Sequence, residues 1–135
     1  PSHELICHIL LVEDDSVNAM IAKKALNNSG HTVTHVTDGQ QAIEVFALNP
    51  EQYDVILMDH HMPIMDGVQA TIKLHELYDP QALPPIIALT ANAMDGERKK
   101  YLDVGMQDYC TKPFKQEQLN ALVQYWLMYK QSMEE

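Results

Sequence analysis

Five short apolar segments recur along the chain, and each has the length and composition of a β-strand. Several of them are apolar at every position rather than at alternate positions. This pattern is typical of strands covered on both faces, as in a parallel sheet between two layers of helices. The segments predict strands at residues 7–12, 32–36, 54–58, 86–90 and 108–111.

The stretches between these strands have helical periodicity and helix boundary residues. Ser16 is predicted to cap a first helix with Val17, Ile21 and Ala25 on its buried face, and Gly30 is predicted to end it. The second helix is predicted to open after Asp38 and to present Ala42, Ile43 and Phe46. The third is predicted to run from Gly67 to about Tyr78, and the fourth to cover roughly 93–104 before Gly105. The last is predicted to bury one face of apolar residues: Leu119, Leu122, Val123, Trp126 and Leu127.

Five strand-then-helix units predict a doubly wound α/β domain. We expect a flavodoxin-like (βα)5 fold of three layers, with a parallel sheet of strand order 2-1-3-4-5. The whole chain, 1–135, is predicted to be one domain with a core over about 8–128 and a short polar tail. In this order the ends of strands one, three, four and five meet around one crevice, where open α/β sheets bind ligands.

Composition narrows the class of protein. A chain of 135 residues with 46% hydrophobic and 21% charged residues is typical of one globular domain. Its formal charge of −10 argues against direct nucleic-acid binding, and no apolar run reaches the ~18 residues of a membrane span. Cys7 and Cys110 both lie in apolar runs, so we expect buried structural thiols in a reducing compartment.

Polar residues follow or end four of the predicted strands: Glu13 and Asp14, Asp59, Thr90 and Lys112. Carboxylates beside one lysine suggest a Mg²⁺ site next to a phosphoryl-binding nucleophile. Asp14 and Asp59 are expected to bind the ion directly. Glu13 is expected to act through water, because neighbouring side chains in extended backbone diverge. Lys112 and Thr90 can bind phosphoryl oxygens.

These residues resemble the receiver domain of two-component response regulators, over about residues 8–127. No single motif is decisive, but all occur in order and at the spacing of that family. The matching segments are ILLVEDD at 9–15, LMD at 57–59, MPIMDG at 62–67, IALTANA at 87–93 and DYCTKPF at 108–114.

The resemblance implies that Asp59 is the phosphoacceptor, which takes phosphate from a histidine of a sensor histidine kinase or a histidine phosphotransfer protein. It implies a Mg²⁺ ion held by Asp14, Asp59 and the backbone carbonyl of His61, with Glu13 acting through water. It also implies that such a domain catalyses its own phosphorylation and dephosphorylation, with Lys112 binding the phosphoryl group.

The resemblance further implies a conformational switch. Thr90 would move toward the phosphoryl group, and Tyr109 would swing into the vacated space. The surface of the fourth helix, fifth strand and fifth helix would change, and the same face could form a dimer. His61 and Asn92 match the positions that tune dephosphorylation in this family, and the bond between Lys112 and Pro113 is expected to be cis.

Other function classes fit less well. A haloacid-dehalogenase-like phosphatase has Asp-x-Asp after its first strand, whereas this chain has Glu-Asp-Asp at 13–15. A flavodoxin-like cofactor binder needs a phosphate loop there, and those acids would repel phosphate. A transition-metal site at His60 and His61 lacks a Cys/His cluster at ligand spacing. A receiver that acts only as an unphosphorylated docking module stays open.

The segments at 89–93 and 105–109 look like those of receivers fused to hybrid sensor histidine kinases. We therefore expect a receiver cut from such a kinase, with a stand-alone single-domain regulator as the alternative. A cytoplasmic location follows from either reading, as the cytoplasmic part of a membrane-bound kinase or as a separate protein. No membrane contact by this domain is expected.

Overall fold

A computed structural model describes residues 5–91, 95–112 and 115–134 of the chain. Strands and helices alternate along it. In chain order they are β1 His8–Val12, α1 Ser16–Asn28, β2 Thr32–Val36, α2 Gly39–Leu48, β3 Val55–Asp59, α3 Gly67–Leu77, β4 Ile86–Thr90, α4 Asp95–Asp103, β5 Asp108–Thr111 and α5 Gln116–Glu134. Short 3₁₀ turns at Pro50–Gln52 and Pro80–Ala82 precede β3 and β4.

The five strands form one parallel sheet in the order β2-β1-β3-β4-β5. This confirms the predicted (βα)5 fold and strand order. In the register, Met58 pairs with Val12 on one side and with Ala88 on the other. The C-terminal ends of β1, β3 and β4 therefore lie side by side, and β5 ends next to Thr90.

Alternate strand residues point into two separate cores, one on each face of the sheet. Leu11, Leu57 and Leu89 pack against α1 and α5, whereas Leu10 and Met58 pack against α2 and α3. All of these side chains are fully buried. The continuous apolar pattern of the strands follows from this burial on both faces.

The expected boundaries are corrected at α1. Asp15, not Ser16, is the N-cap: its carboxylate accepts hydrogen bonds from the backbone N–H groups of Val17 and Asn18, each at 2.9 Å. Ser16 is the first helical residue. Asp is as good a cap as Ser, and its charge also interacts favourably with the helix dipole.

The buried face of α1 is only partly the predicted one. Ala25 is buried as predicted, but Val17 is 58% exposed and Ile21 is 47% exposed. Beside Ala25 the helix buries the small side chains of Ala19 and Ala22, together with Leu26. Small residues let α1 approach the sheet closely, so the larger apolar residues are left facing outward.

The other helices match their sequence patterns more closely. Helix α2 buries Ala42, Ile43 and Phe46 as predicted, and Gly105, at φ +103°, follows α4 as its predicted stop. The predicted start of the fourth helix, near residue 93, lies outside the described residues. The segment after 128, predicted as a polar tail, continues α5 to Glu134. Within the described residues, no helix is both long and apolar enough to cross a membrane.

Candidate phosphoryl-transfer site

Three carboxylates meet at the C-terminal edge of the sheet. Glu13 and Asp14 follow β1, and Asp59 is the last residue of β3. One carboxylate oxygen from each lies within 4.8 Å of the others. Glu13 and Asp59 are buried, whereas Asp14 is exposed, so the cluster is open to solvent on one side. Such a set of hard oxygen donors suits Mg²⁺.

Glu13 and Asp14 do not diverge as extended backbone would make them, whereas the action of Glu13 on the ion through water stays a prediction. The chain leaves the extended conformation after β1 and bends at Asp14, so both carboxylates face the same crevice. The backbone N–H of Glu13 still donates to the carbonyl of Val36 at 3.0 Å. The Glu13 carboxylate also accepts from the backbone N–H of Asp15 at 3.2 Å, which ties the cluster to the cap of α1.

Lys112, directly after β5, provides the positive charge in this cluster. Its Nζ lies 2.7 Å from Oε1 of Glu13 and donates to Oδ1 of Asp59 at 2.9 Å. The Lys112 side chain is only 15% exposed, so both ion pairs are largely shielded from water. Shielded ion pairs of this kind hold their geometry better than surface pairs do.

The site has more negative than positive charge, and the pKa values reflect this. Burial and the neighbouring Glu13 carboxyl raise the pKa of Asp59 to about 7, against the lowering effect of Lys112. Burial alone would lower the pKa of Lys112, but its contacts with Glu13 and Asp59 raise that pKa instead. A bound cation would relieve the repulsion among the carboxylates and favour ionised Asp59.

The loop after β3 is held close to the site by backbone contacts. The N–H of Gly67 donates to the carbonyl of His60 at 3.0 Å, and a Cβ on Gly67 would collide with the carbonyl oxygen of Asp59. Only glycine permits this approach. Asp66 and Gln69 form a capping box that starts α3 at this point.

Thr90 is the last residue of β4, close to Asp59. Its hydroxyl accepts a hydrogen bond from Tyr101, a residue that was not predicted to belong to the site. Tyr101, on α4, donates its hydroxyl proton to Oγ1 of Thr90 at 2.8 Å. The same Tyr101 hydroxyl lies 3.2 Å from Nδ1 of His60. The one feature of the sequence that could have pointed to Tyr101 is its place at an apolar position of a helix that is otherwise rich in charged residues.

Comparison with known protein families shows to which family this chain belongs. The model of the response regulator receiver domain family matches residues 9–124. The chain belongs to this family. The match includes every residue of the cluster: Glu13, Asp14, Asp59, Thr90 and Lys112.

This receiver domain is similar to parts of larger sensor proteins. It is 35% identical over 120 residues to the aerobic respiration control sensor protein ArcB of Escherichia coli, covering 88% of this chain and 15% of that protein. It is 40% identical over 120 residues to the sensor protein GacS of Pseudomonas syringae, covering 87% of this chain and 13% of GacS. The chain thus spans about a seventh of these relatives.

Solved structures give the same picture. The receiver domain of sensor histidine kinase PA1611 from Pseudomonas aeruginosa, solved with a magnesium ion coordinated in its active-site cleft, has a TM-score of 0.76. It is 40% identical and covers 92% of this chain and 99% of that one. The chemotaxis response regulator CheY4 of Vibrio cholerae shares the fold, with a TM-score of 0.80 at 24% identity, covering 90% of this chain and 99% of that one.

The resemblance also assigned roles to His61, Tyr109 and Asn92, and a cis bond before Pro113. His61 is exposed, and its ring centroid lies 4.1 Å from that of His60 with an interplanar angle of 34°. Tyr109 is half-buried, with the guanidinium of Arg98 at 6.0 Å from its ring centre. Asn92 and Pro113, and with Pro113 the predicted cis bond, lie outside the described residues.

The two cysteines are structural, as predicted. Both are buried and unbridged. Burial raises the pKa of Cys7 to about 12 and that of Cys110 to about 11, so neither thiol is ionised at neutral pH. Within the described residues, the one group of His, Cys, Asp and Glu side chains at metal-ligand spacing is the acidic cluster.

Proposed function

We propose that this receiver domain takes a phosphoryl group from a phosphohistidine onto the carboxylate of Asp59, in a Mg²⁺-dependent reaction. The observation that carries the proposal is the position of Asp59 at the open edge of the sheet. There it accepts a hydrogen bond from Lys112, and its carboxylate has an oxygen within 4.8 Å of oxygens of two further carboxylates. A lone structural carboxylate would not need this surrounding set of charges.

Glu13, Asp14 and Asp59 are the side chains that would hold the ion, together with the backbone carbonyl of His61. Their oxygens are the donor type that Mg²⁺ prefers. When bound, Mg²⁺ neutralises charge on the phosphoryl oxygens as the group is transferred. The exposure of Asp14 leaves room for the ion to keep water ligands.

The protein residues supply position and charge for the transfer. A carboxylate oxygen of Asp59 attacks phosphorus, the bond from phosphorus to the donor imidazole nitrogen breaks, and an aspartyl phosphate forms. Lys112 is already anchored on Asp59 and can bind a phosphoryl oxygen from that position. The Thr90 hydroxyl can donate to a second phosphoryl oxygen once the group is in place.

The proposed donor is a histidine kinase or a histidine phosphotransfer protein, which can also receive the group onward. Helix α1 begins immediately after the acidic residues, and three large apolar side chains on it are exposed: Val17, Met20 and Ile21. An exposed apolar patch beside a reactive site is typical of a surface that binds a partner protein. We assign docking of the donor to this patch.

The relatives favour a receiver from a hybrid sensor kinase over a stand-alone regulator, because the similar proteins include the sensors ArcB and GacS. We propose this context for the chain, in a cytoplasmic location. A dimer through α4, β5 and α5 stays a prediction. Leu102 and Tyr125, which are exposed on that face, are the residues with which to test it.

The decisive test is the intact mass of the protein after incubation with Mg²⁺ and acetyl phosphate. We expect one added phosphoryl group on the wild-type protein. The adduct should be absent from Asp59→Asn and from wild type in EDTA, because the first lacks the nucleophile and the second lacks the cation. Asp54→Asn is a matched control, since Asp54 precedes β3 at the opposite end of the strand, and it should be phosphorylated normally.

A folded wild-type protein that binds Mg²⁺ but neither gains a phosphoryl group nor forms a complex with beryllofluoride would contradict the proposal. Trapping with beryllofluoride is needed because it separates two explanations for a missing adduct. A stable beryllofluoride complex indicates a phosphoprotein too short-lived to detect. Failure to form the complex indicates a receiver that acts only as a docking module.

A further inference from the structure

A buried chain of three polar side chains connects the end of β4 to α4. Tyr101 donates to Thr90 at 2.8 Å, and the hydroxyl of Tyr101 lies 3.2 Å from Nδ1 of His60. The exposed fractions are 2% for Thr90, 1% for Tyr101 and 5% for His60. At this burial each hydrogen bond constrains the side chains strongly, because leaving a buried polar group unpaired is costly.

The direction of the hydrogen bonds follows from a count of protons. The Tyr101 hydroxyl has one proton, and it is given to Oγ1 of Thr90. The hydroxyl oxygen can therefore only accept from His60, which requires the proton of the His60 ring to be on Nδ1. The chain of donors thus runs from His60 to Tyr101 to Thr90.

The His60 end of this chain is anchored by backbone hydrogen bonds and by ring packing. The backbone N–H of His60 donates to the carbonyl of Leu89 at 3.1 Å, and the His60 carbonyl accepts from Gly67 at 3.0 Å. The rings of His60 and Tyr101 meet edge to face, with centroids 5.3 Å apart and an interplanar angle of 84°. The Tyr101 hydroxyl therefore cannot follow a movement of Thr90 unless α4 itself moves.

We propose that Tyr101 and His60 are positioning residues that hold the Thr90 hydroxyl and couple it to α4. The inference rests on the proposed function, in which Thr90 must turn to donate to the phosphoryl group on Asp59. Rotation of the Thr90 side chain displaces Oγ1, so it either breaks the hydrogen bond from Tyr101 or shifts α4. The resemblance assigned the switch aromatic to Tyr109, whereas the tyrosine bonded to Thr90 is Tyr101.

Loss of the Tyr101 hydroxyl should make the rotation of Thr90 easier. In Tyr101→Phe we expect the rate of phosphorylation by acetyl phosphate to rise about 3- to 10-fold, the factor that corresponds to one net hydrogen bond. The effect should vanish in a Thr90→Ala background, because no hydroxyl is left to restrain. Tyr53→Phe is the matched control, since Tyr53 is also buried, at 5% exposed, but precedes β3 at the end opposite Asp59, and its rate should equal that of wild type.

His60 gives an independent test with a conservative variant. Asn can place an N–H donor near the position of Nδ1, whereas Leu cannot. We expect His60→Leu to resemble Tyr101→Phe and His60→Asn to remain close to wild type. Thermal unfolding of each variant, measured beside the rates, shows that a change in rate is not a loss of the fold.

The coupling to α4 has its own readout, which is hydrogen exchange of the α4 amides before and after addition of beryllofluoride. We expect the change in α4 to be reduced in Tyr101→Phe while the change around Asp59 is kept. Equal rates and equal α4 exchange in Tyr101→Phe and Tyr53→Phe would overturn the inference, as would slower phosphorylation in Tyr101→Phe. A wild-type protein that neither gains a phosphoryl group nor binds beryllofluoride would instead overturn the proposed function. A wild-type protein that is phosphorylated, with no effect of Tyr101→Phe, would overturn only this inference.

Discussion

At the scale of single residues, Asp59 is where the site most reduces the stability of the metal-free fold. Its carboxyl is buried beside that of Glu13, and Lys112 is ion-paired with both carboxylates. The raised pKa of Asp59, about 7, means that without a cation the folded protein resists its ionisation. The residue that is proposed to accept the phosphoryl group is therefore one that destabilises the metal-free fold at neutral pH.

We expect Asp59→Asn to be more stable than wild type without Mg²⁺ at pH 7, by on the order of 1 kcal/mol. The folded protein binds a proton at Asp59 up to about pH 7, whereas the unfolded chain releases it near 3.8. Wild-type stability should therefore fall as pH rises through this window, and the advantage of the variant should grow. Urea unfolding at pH 4.5 and 7.5 measures this.

Added Mg²⁺ provides the control for this experiment. The ion favours the ionised carboxylate, so it should stabilise wild type at pH 7.5 and stabilise Asp59→Asn less. A stability difference between the two proteins that does not change with pH would show that burial of Asp59 is not the cause.

At the scale of elements, α1 is where side-chain size and cap chemistry decide the geometry. Asp15 accepts two backbone hydrogen bonds at the helix N-terminus, while Ser16 is already inside the helix. The acidic run 13–15 therefore has two roles: the first two residues form the site, and the third starts the helix beside it.

Asp15→Ala should destabilise the protein by about 1 kcal/mol, because two N–H groups lose their acceptor. Ser16→Ala is the matched variant and should change the stability by less than about 0.5 kcal/mol. Urea denaturation with both variants in one buffer tests the assignment. A larger loss in Ser16→Ala than in Asp15→Ala would mean that Ser16 is the cap after all.

The two faces of α1 should respond differently to substitution. Ile21→Gln should alter stability by less than about 0.5 kcal/mol, since Ile21 is 47% exposed, but should weaken docking of a phosphodonor protein. Leu26→Ala should cost about 2–5 kcal/mol, because Leu26 is fully buried and its truncation leaves a cavity. Thermal unfolding compares the two, and equal losses would contradict the observed orientation of α1.

At the scale of the whole molecule, one sheet joins two cores that, over the described part of the chain, share no other element. Neighbouring residues of β1 serve different cores: Leu10 packs on the side of α2 and α3, and Leu11 on the side of α1 and α5. A defect on either face is thus transmitted through the same five strands.

Leu10→Ala and Leu11→Ala should each cost about 2–5 kcal/mol, and each should leave a single unfolding transition. Far-UV circular dichroism reports the sheet and helices, while fluorescence of Trp126 reports the α5 face. We expect the two signals to give the same midpoint in both variants. Separate midpoints in Leu10→Ala would show that the two layers unfold independently.

The sequence alone determined the fold class and most of the site, because both depend on patterns within short segments of the chain. Continuous apolar runs specify buried parallel strands, and the strand order was predicted because 2-1-3-4-5 is the common flavodoxin-like order for five βα units. Because strand ends meet at one edge, Asp59 and Lys112 were predicted to lie together although they are far apart in the chain. The buried face of α5 was predicted correctly at Leu119, Val123 and Leu127, because these apolar residues recur at helical spacing.

Tertiary structure decided what periodicity cannot specify. Helix α1 has two apolar faces, and the sheet selects the small residues around Ala22 for close packing. The bend at Asp14 directs Glu13 into the site, although extended backbone would turn it away. The contact of Tyr101 with Thr90 and His60 joins three elements, so no local pattern contains it. Pairing between distant side chains depends on the packed distance between elements, and that distance exists only in the folded protein.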